Sequence, residues 1–213
     1  MALKLKGKGG LVSFSHPESI ISEQYRTIRA NIQFLFPHHQ QQTLLVTSPG
    51  YGEGKSITVA NLAISMAQLG KKILLVDADL RKPSIHTLFQ LDHSPGLADV
   101  LTGETTVEGA VLQTEVQGLE IVTSGLATNH PAELLSSPKL EQMIDAAKKK
   151  YDFVLFDSSP ILDVTDSRLL ANQCEGTILV IRNGKTRTNE ATEAKRLLNL
   201  AQATCLGVIF NYK

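Results

Sequence analysis

Six short aliphatic runs set the terms on which this chain can fold: TLLVTS at 43–48, KILLVDAD at 72–79, LEIVTS at 119–124, DFVLFD at 152–157, TILVIR at 177–182 and LGVIFN at 206–211. Each is continuously apolar, as strands buried on both faces are, and none shows the alternation of a strand with one wet side. Between them lie stretches of helical periodicity: SITVANLAISMAQLG ending at Gly70, SPKLEQMIDAAKKK at 137–150 and TNEATEAKRLLNLAQA at 188–203. Strand and helix in alternation predict an α/β fold, a mostly parallel sheet with helices on both faces. Ligands in such folds bind beyond the carboxyl ends of the strands. A chain of 213 residues is expected to form one domain over 1–213.

An extra helix is predicted ahead of the first strand, over 18–36, where Ile21, Tyr25, Ile28, Ile32 and Leu35 recur at helical spacing. Residues 1–17, with Lys4, Lys6 and Lys8, read as a flexible, solvated start. Glu23, Arg26 and Arg29 follow one another at steps of three along the helix, which by itself describes a solvated charged face.

Composition removes several classes of function. Lys+Arg and Asp+Glu are equal at 21 each, so no electrostatic bias favours nucleic acid. Cys174 and Cys205 are far apart and form no CxxC pair, which suits buried thiols in a reducing compartment. No apolar run approaches the ~20 residues of a membrane span, and MALKLKGKGG lacks the core of a signal peptide. The expected location is the cytoplasm.

The segment SPGYGEGKS at 48–56 separates the first strand from a helix expected to begin at Ser56. Its end, Gly54, Lys55 and Ser56, supplies the close of a P-loop, in which backbone amides wrap phosphates, the lysine reaches the terminal ones and the hydroxyl binds Mg²⁺. Pro49 stands where the pattern has its first glycine, while Gly50 and Gly52 keep the loop free to turn sharply. The helix that follows aims its dipole at the same anion site. A P-loop NTPase fold is therefore expected, with ATP contacted by Gly50, Tyr51, Gly52, Glu53, Gly54, Lys55, Ser56 and Ile57. Asn211, ending the last strand, is a further candidate for the nucleotide or simply a turn residue.

Three carboxylates close buried strands: Asp77 and Asp79 in ILLVDADLR, and Asp157 in FVLFDSSP. One such acid is usually a cap or a loop anchor. Three at one sheet edge beside a P-loop are the equipment for holding Mg²⁺ on a nucleotide.

Taken together, PGYGEGKS, ILLVDADLRKP, FVLFDSSPIL and EQYRTIR resemble the bacterial tyrosine kinases, in particular the kinase subunit of capsule and exopolysaccharide systems. The resemblance runs over about 18–211, and Asp77, Asp79 and Arg81 match that family's D-x-D-x-R signature residue by residue. It implies a protein-tyrosine kinase with ATP and Mg²⁺ as cofactors. Lys55, Asp77 and Asp79 would be catalytic, Asp77 being the candidate for the acceptor's phenolic proton; Ser56, Asp79 and Asp157 would hold the metal. The division of roles between Asp77 and Asp79 stays open at this point. Glu23, Arg26 and Arg29 match the helix through which the family assembles rings. The partners implied are a membrane adaptor that activates and recruits the kinase, and proteins bearing acceptor tyrosines.

Kinases of this family end in a tyrosine-rich tail, whereas this chain ends in FNYK, with Tyr25, Tyr51 and Tyr151 inside expected structure and Tyr212 the freest. A removed tail, other protein substrates and lost activity are all open readings. Two rivals share the nucleotide loop. Partition and division-site ATPases carry a signature lysine where this chain has Gly50, and lack the D-x-D-x-R signature. An ATP-reading scaffold of an export complex would keep the loop without turnover.

Overall fold

In this computed structural model residues 10–36, 42–126 and 128–212 are described. Seven strands form one sheet in the order β3-β4-β2-β5-β1-β6-β7. They are β1 (Gln42–Thr47), β2 (Ile73–Asp77), β3 (Val111–Gln113), β4 (Leu119–Val122), β5 (Phe153–Asp157), β6 (Gly176–Arg182) and β7 (Cys205–Asn211). All neighbours are parallel except β3, which runs antiparallel to β4 at the edge. Each of the six aliphatic runs is a strand; β3, three residues long with no run of its own, left no signal.

The continuous apolar pattern has its expected cause in the central strands. Leu44, Val46, Ile73 and Leu75 enter one core, while Leu45, Leu74 and Val76 enter the other. The first core is covered by α1 (Val12–Ser15), α2 (Ile20–Leu35), α3 (Lys55–Ala67) and α4 (Ile85–Phe89). The second is covered by α5 (Leu97–Thr102), α6 (Val107–Ala110), α7 (Pro131–Leu135), α8 (Pro138–Lys148), α9 (Asp166–Gln173) and α10 (Thr188–Leu200). A fully buried Leu or Ile contributes about 1.5–3 kcal/mol, so both layers hold the central strands tightly. The run in β7 differs: it is the edge strand, and Val208 and Phe210 are exposed despite the same apolar pattern.

The start of the chain departs from expectation. Residues 1–9 lie outside the described residues, but from Gly10 the chain is held down rather than loose. Ser13 N donates to Asn61 Oδ1 at 2.8 Å, Asn61 Nδ2 to Gly10 O at 2.7 Å, and Gln68 Nε2 to Ser13 O at 2.9 Å. Asn61 lies in α3 and Gln68 caps its end, about fifty residues onward, so no local pattern could announce them. Helix α2 begins two residues after the expected position, because the Ser19 hydroxyl caps it by accepting from Ser22 N at 3.2 Å. Among the described residues no helix is long and apolar enough to cross a membrane.

Candidate active site

The site sits where β1, β2 and β5 end. After Thr47 the chain leaves the sheet, and α3 begins at Lys55, one residue before the expected start. Gly52 and Gly54 have φ of 71° and 93°, the left-handed values that L side chains resist. Gly54 is further required by a close approach, since a Cβ there would lie 2.1 Å from Asn211 Nδ2. Asn211 donates from that nitrogen to Glu53 O at 2.9 Å, so the end of β7 rests on the loop.

Lys55 is buried and reaches into the carboxylates. Its Nζ lies 2.9 Å from Asp79 Oδ2, 3.4 Å from Asp157 Oδ1 and 3.1 Å from Ser56 Oγ. Burial pulls its pKa down, but Asp157 and Asp79 more than offset this and raise it to about 12. It is therefore a fixed cation. Strand register explains why the acids meet, as Asp77 is directly opposite Asp157 in the β2–β5 pair.

The structure separates Asp77 from Asp79. Asp77 Oδ2 accepts from Ser84 N at 3.0 Å and Ile85 N at 2.9 Å, and its Oδ1 from Asp79 N at 3.3 Å. It is wholly buried and fastens the start of α4 to β2. Asp79 instead lines a cavity of about 390 Å³ together with Tyr51, Lys55, Ser56, Ile57, Lys82 and Leu88. Backbone amides seven and eight residues onward hold Asp77, which does not line that cavity. Burial, and next the Asp157 charge, push the Asp77 carboxyl above its ordinary range. Burial likewise raises Asp157, against the pull of Lys55.

Two groups that position Asp79 had no sequence signal of their own. Ser159 Oγ donates to Asp79 Oδ1 at 3.0 Å, as does Lys82 N at 3.1 Å. Arg81 grips the buried Asp166 with both arms of its guanidinium, Nε to Oδ2 at 2.7 Å and Nη2 to Oδ1 at 3.1 Å, tying the loop after β2 to α9. Lys82 Nζ lies 3.9 Å from the centre of the Tyr51 ring at the cavity's rim. The charged stripe on α2 is split. Glu23 and Arg26 pair at 2.6 Å on its exposed side, while Arg29 Nη1 donates to Ser65 O at 2.5 Å and joins α2 to α3.

The donor set suits a nucleotide-bound Mg²⁺. Asp157 Oδ2 is buried without a hydrogen bond, and Asp79 Oδ2 is met by Lys55 at 2.9 Å, with the Ser56 hydroxyl beside the same ammonium. Mg²⁺ takes one or two carboxylates and completes its shell with water and phosphate oxygens. Accordingly no preformed cluster of three or more metal-ligating side chains is found among the described residues.

Comparison with known proteins gives the family. A family model described as AAA domain matches residues 43–194. Tyrosine-protein kinase YwqD of Bacillus subtilis (strain 168) is 45% identical over 203 residues, which are 95% of this chain and 86% of that protein. The chain belongs to the bacterial tyrosine kinases. Among solved structures of this family, the chimerical protein CapA2B2 has a TM-score of 0.91 at 35% identity, covering 96% of this chain and 90% of its own. The division-site alternative is the more distant one: MinD of Pyrococcus horikoshii OT3, solved with Mg-ADP, has a TM-score of 0.69 at 27% identity, covering 80% of this chain and 70% of its own. What the kinase and the division-site protein share is the nucleotide-binding α/β fold.

Proposed function

We propose that this kinase transfers the γ-phosphoryl group of Mg·ATP to tyrosines of partner proteins in a capsule or exopolysaccharide system. The carrying observation is the buried Asp157 Oδ2, which has no hydrogen bond, next to Asp79 Oδ2, whose partner is Lys55 at 2.9 Å, at the mouth of the glycine loop. Phosphoryl transfer asks mainly for positioning and for neutralising charge on the phosphoryl oxygens. Loop amides and Lys55 bind the phosphates. Ser56, Asp79 and Asp157 would hold Mg²⁺, which would supply neutralisation of charge on the phosphate oxygens. Asn211 helps seat the nucleotide through its contact with the loop.

The acceptor phenol enters the same cavity beside the phosphates held by Lys55 and Ser56, against the apolar wall that Leu88 adds to Tyr51 and Ile57. Asp79 lines that cavity and receives or orients the phenolic proton, which a tyrosine with pKa near 10 gives up reluctantly. Asp77 acts on the reaction through the position of α4 and of Asp79. An adaptor in the membrane recruits the kinase, and Glu23 and Arg26 on α2 contribute to a ring of copies.

The test is phosphotyrosine mass spectrometry with a tyrosine-rich peptide and Mg·ATP, comparing wild type, Asp77→Asn and Asp79→Asn. Asp79→Asn is expected to lose more in kcat, and Asp77→Asn to change melting temperature more. The reverse order would return the proton-accepting role to Asp77. Hydrolysis of ATP with no phosphotyrosine, even with the adaptor's cytoplasmic segment added, would favour a switch ATPase.

A further inference from the structure

Four consecutive carbonyls of the glycine loop each accept a hydrogen bond from a side chain. Ser48 Oγ donates to Gly50 O at 2.8 Å, Lys185 Nζ to Tyr51 O, Arg182 Nη1 to Gly52 O at 3.2 Å, and Asn211 Nδ2 to Glu53 O at 2.9 Å. Three of these donors come from the far end of the chain: the last residue of β6, the turn after it, and the last residue of β7.

That turn is itself well tied. Arg182 N donates to Thr186 Oγ1 at 2.8 Å, Thr186 N to Arg182 O at 2.9 Å, and Asn183 N to Asn211 O at 2.8 Å. Lys185 and Arg182 are therefore presented from a fixed base. The glycines leave them room, for a Cβ on Gly52 would lie 2.9 Å from Lys185 Nζ.

A trans peptide unit carries its C=O and its N–H on opposite sides. Pinning the carbonyls of Tyr51, Gly52 and Glu53 outward turns the amides of Gly52, Glu53 and Gly54 to the other side together. Successive amides facing one way form the concavity in which anions bind. A loop without such anchors must give up conformational freedom when the phosphates arrive, and it loses affinity accordingly.

We propose that Arg182 and Lys185 are positioning residues for the nucleotide, which preset the phosphate loop by holding its carbonyls from behind and do not touch the phosphates themselves. The inference rests on the reading of this loop as the phosphate cradle. It places part of the ATP site in the β6–α10 turn, remote in sequence from every motif of the family.

The experiment measures binding of a fluorescent Mg·ATP analogue and of pyrophosphate to wild type and to the Arg182→Ala/Lys185→Ala double variant. Both ligands are expected to bind roughly ten- to a hundredfold more weakly, the worth of two charge-assisted hydrogen bonds. KM for ATP should rise accordingly. Lys185→Arg, which keeps a donor, should restore most of the affinity lost in Lys185→Ala, and the melting temperature should move little because Lys185 is exposed and Arg182 half-buried. The ratio between wild type and double variant should persist at about 0.5 M salt, where exposed charges are screened. Affinity within about twofold of wild type, on the scale of a single weak contact, would overturn the proposal. So would a deficit that disappears with salt, which would make the two residues a diffuse attractive field. Wild type that binds neither Mg·ATP nor pyrophosphate would overturn the cradle reading, and this proposal with it.

Discussion

The two ends of the sheet treat their charges in opposite ways. At the amino ends, every prominent acid is answered. Glu175 accepts from Thr43 N at 2.7 Å and from Thr43 Oγ1, and pairs with Lys148. Asp152 accepts from Lys72 N at 2.8 Å and pairs with Lys71 at 3.6 Å, while Glu120 takes the Tyr151 hydroxyl and Gln113 Nε2 at 2.6 Å. At the carboxyl ends Asp77, Asp79 and Asp157 gather around one ammonium, and Asp157 Oδ2 has no hydrogen bond. The amino end is finished as a folded structure. The carboxyl end is finished only when a cationic or proton-donating ligand joins it.

The strongest way to break this contrast is Lys55→Met. Phosphotransfer is expected to fall by roughly three orders of magnitude or more, because a fixed positive charge on the phosphates is lost. Without metal the variant should also lose about 3–5 kcal/mol of stability, since the carboxylates lose their buried partner. Mg²⁺ should restore part of that loss, measured as melting temperature with and without the ion. An unchanged melting temperature would mean the acids were not held by Lys55.

Neutralising one acid at each end gives opposite signs. Asp157→Asn should abolish transfer while keeping or raising the melting temperature, because it removes a desolvated charge from a crowded site. Glu175→Gln should destabilise by about 1–3 kcal/mol, the cost of weakening bonds to a charged acceptor. Equal signs in urea denaturation would remove the distinction.

The pH dependence sharpens it. Burial alone would raise the pKa of Glu175, but Lys148 and Thr43 bring it below the ordinary value. Its stabilisation is present above the ordinary carboxylate range and is lost as pH falls through the depressed folded value. Asp77 and Asp157 are raised, so their effect has the other sign: absent in acid, it costs stability as pH climbs from the ordinary carboxylate range toward the raised values. The gap between wild type and Glu175→Gln should close on acidification, and that between wild type and Asp157→Asn should widen toward neutral pH.

The smallest effect concerns a thiol beside the amino end. Burial pushes Cys174 up to about 12, so a thiol reagent at neutral pH should label Cys205 in the native protein and reach Cys174 only on unfolding. Labelling of both at one rate would show that this end opens.

Much of this was legible in the chain. The aliphatic runs specify strands because a strand buried on both faces has no polar position to alternate with, and the acids are visible because they interrupt those runs at their ends. The glycine loop is legible for a similar reason: Gly54, Lys55 and Ser56 combine a backbone requirement with two chemical groups at fixed spacing. The short helix α1 was not, since it is held by Asn61 and Gln68 rather than by its own periodicity. Nor was the exposure of β7, whose composition matches that of the central strands while its place at the sheet edge does not.

Sequence by itself determined six of the strands and the helices α2, α3, α8 and α10, and which side chains capable of phosphoryl chemistry stand at strand ends. Those follow from periodicity and spacing, which act over a few residues. Only the tertiary structure decided that Asp77 is turned to the amides of Ser84 and Ile85 while Asp79 lines the cavity, that Arg81 belongs to Asp166, and that Arg182, Lys185 and Asn211 hold the phosphate loop. Hydrogen bonds and desolvation depend on who is near in space, and here the deciding neighbours are mostly brought together by the sheet from more than eighty residues away.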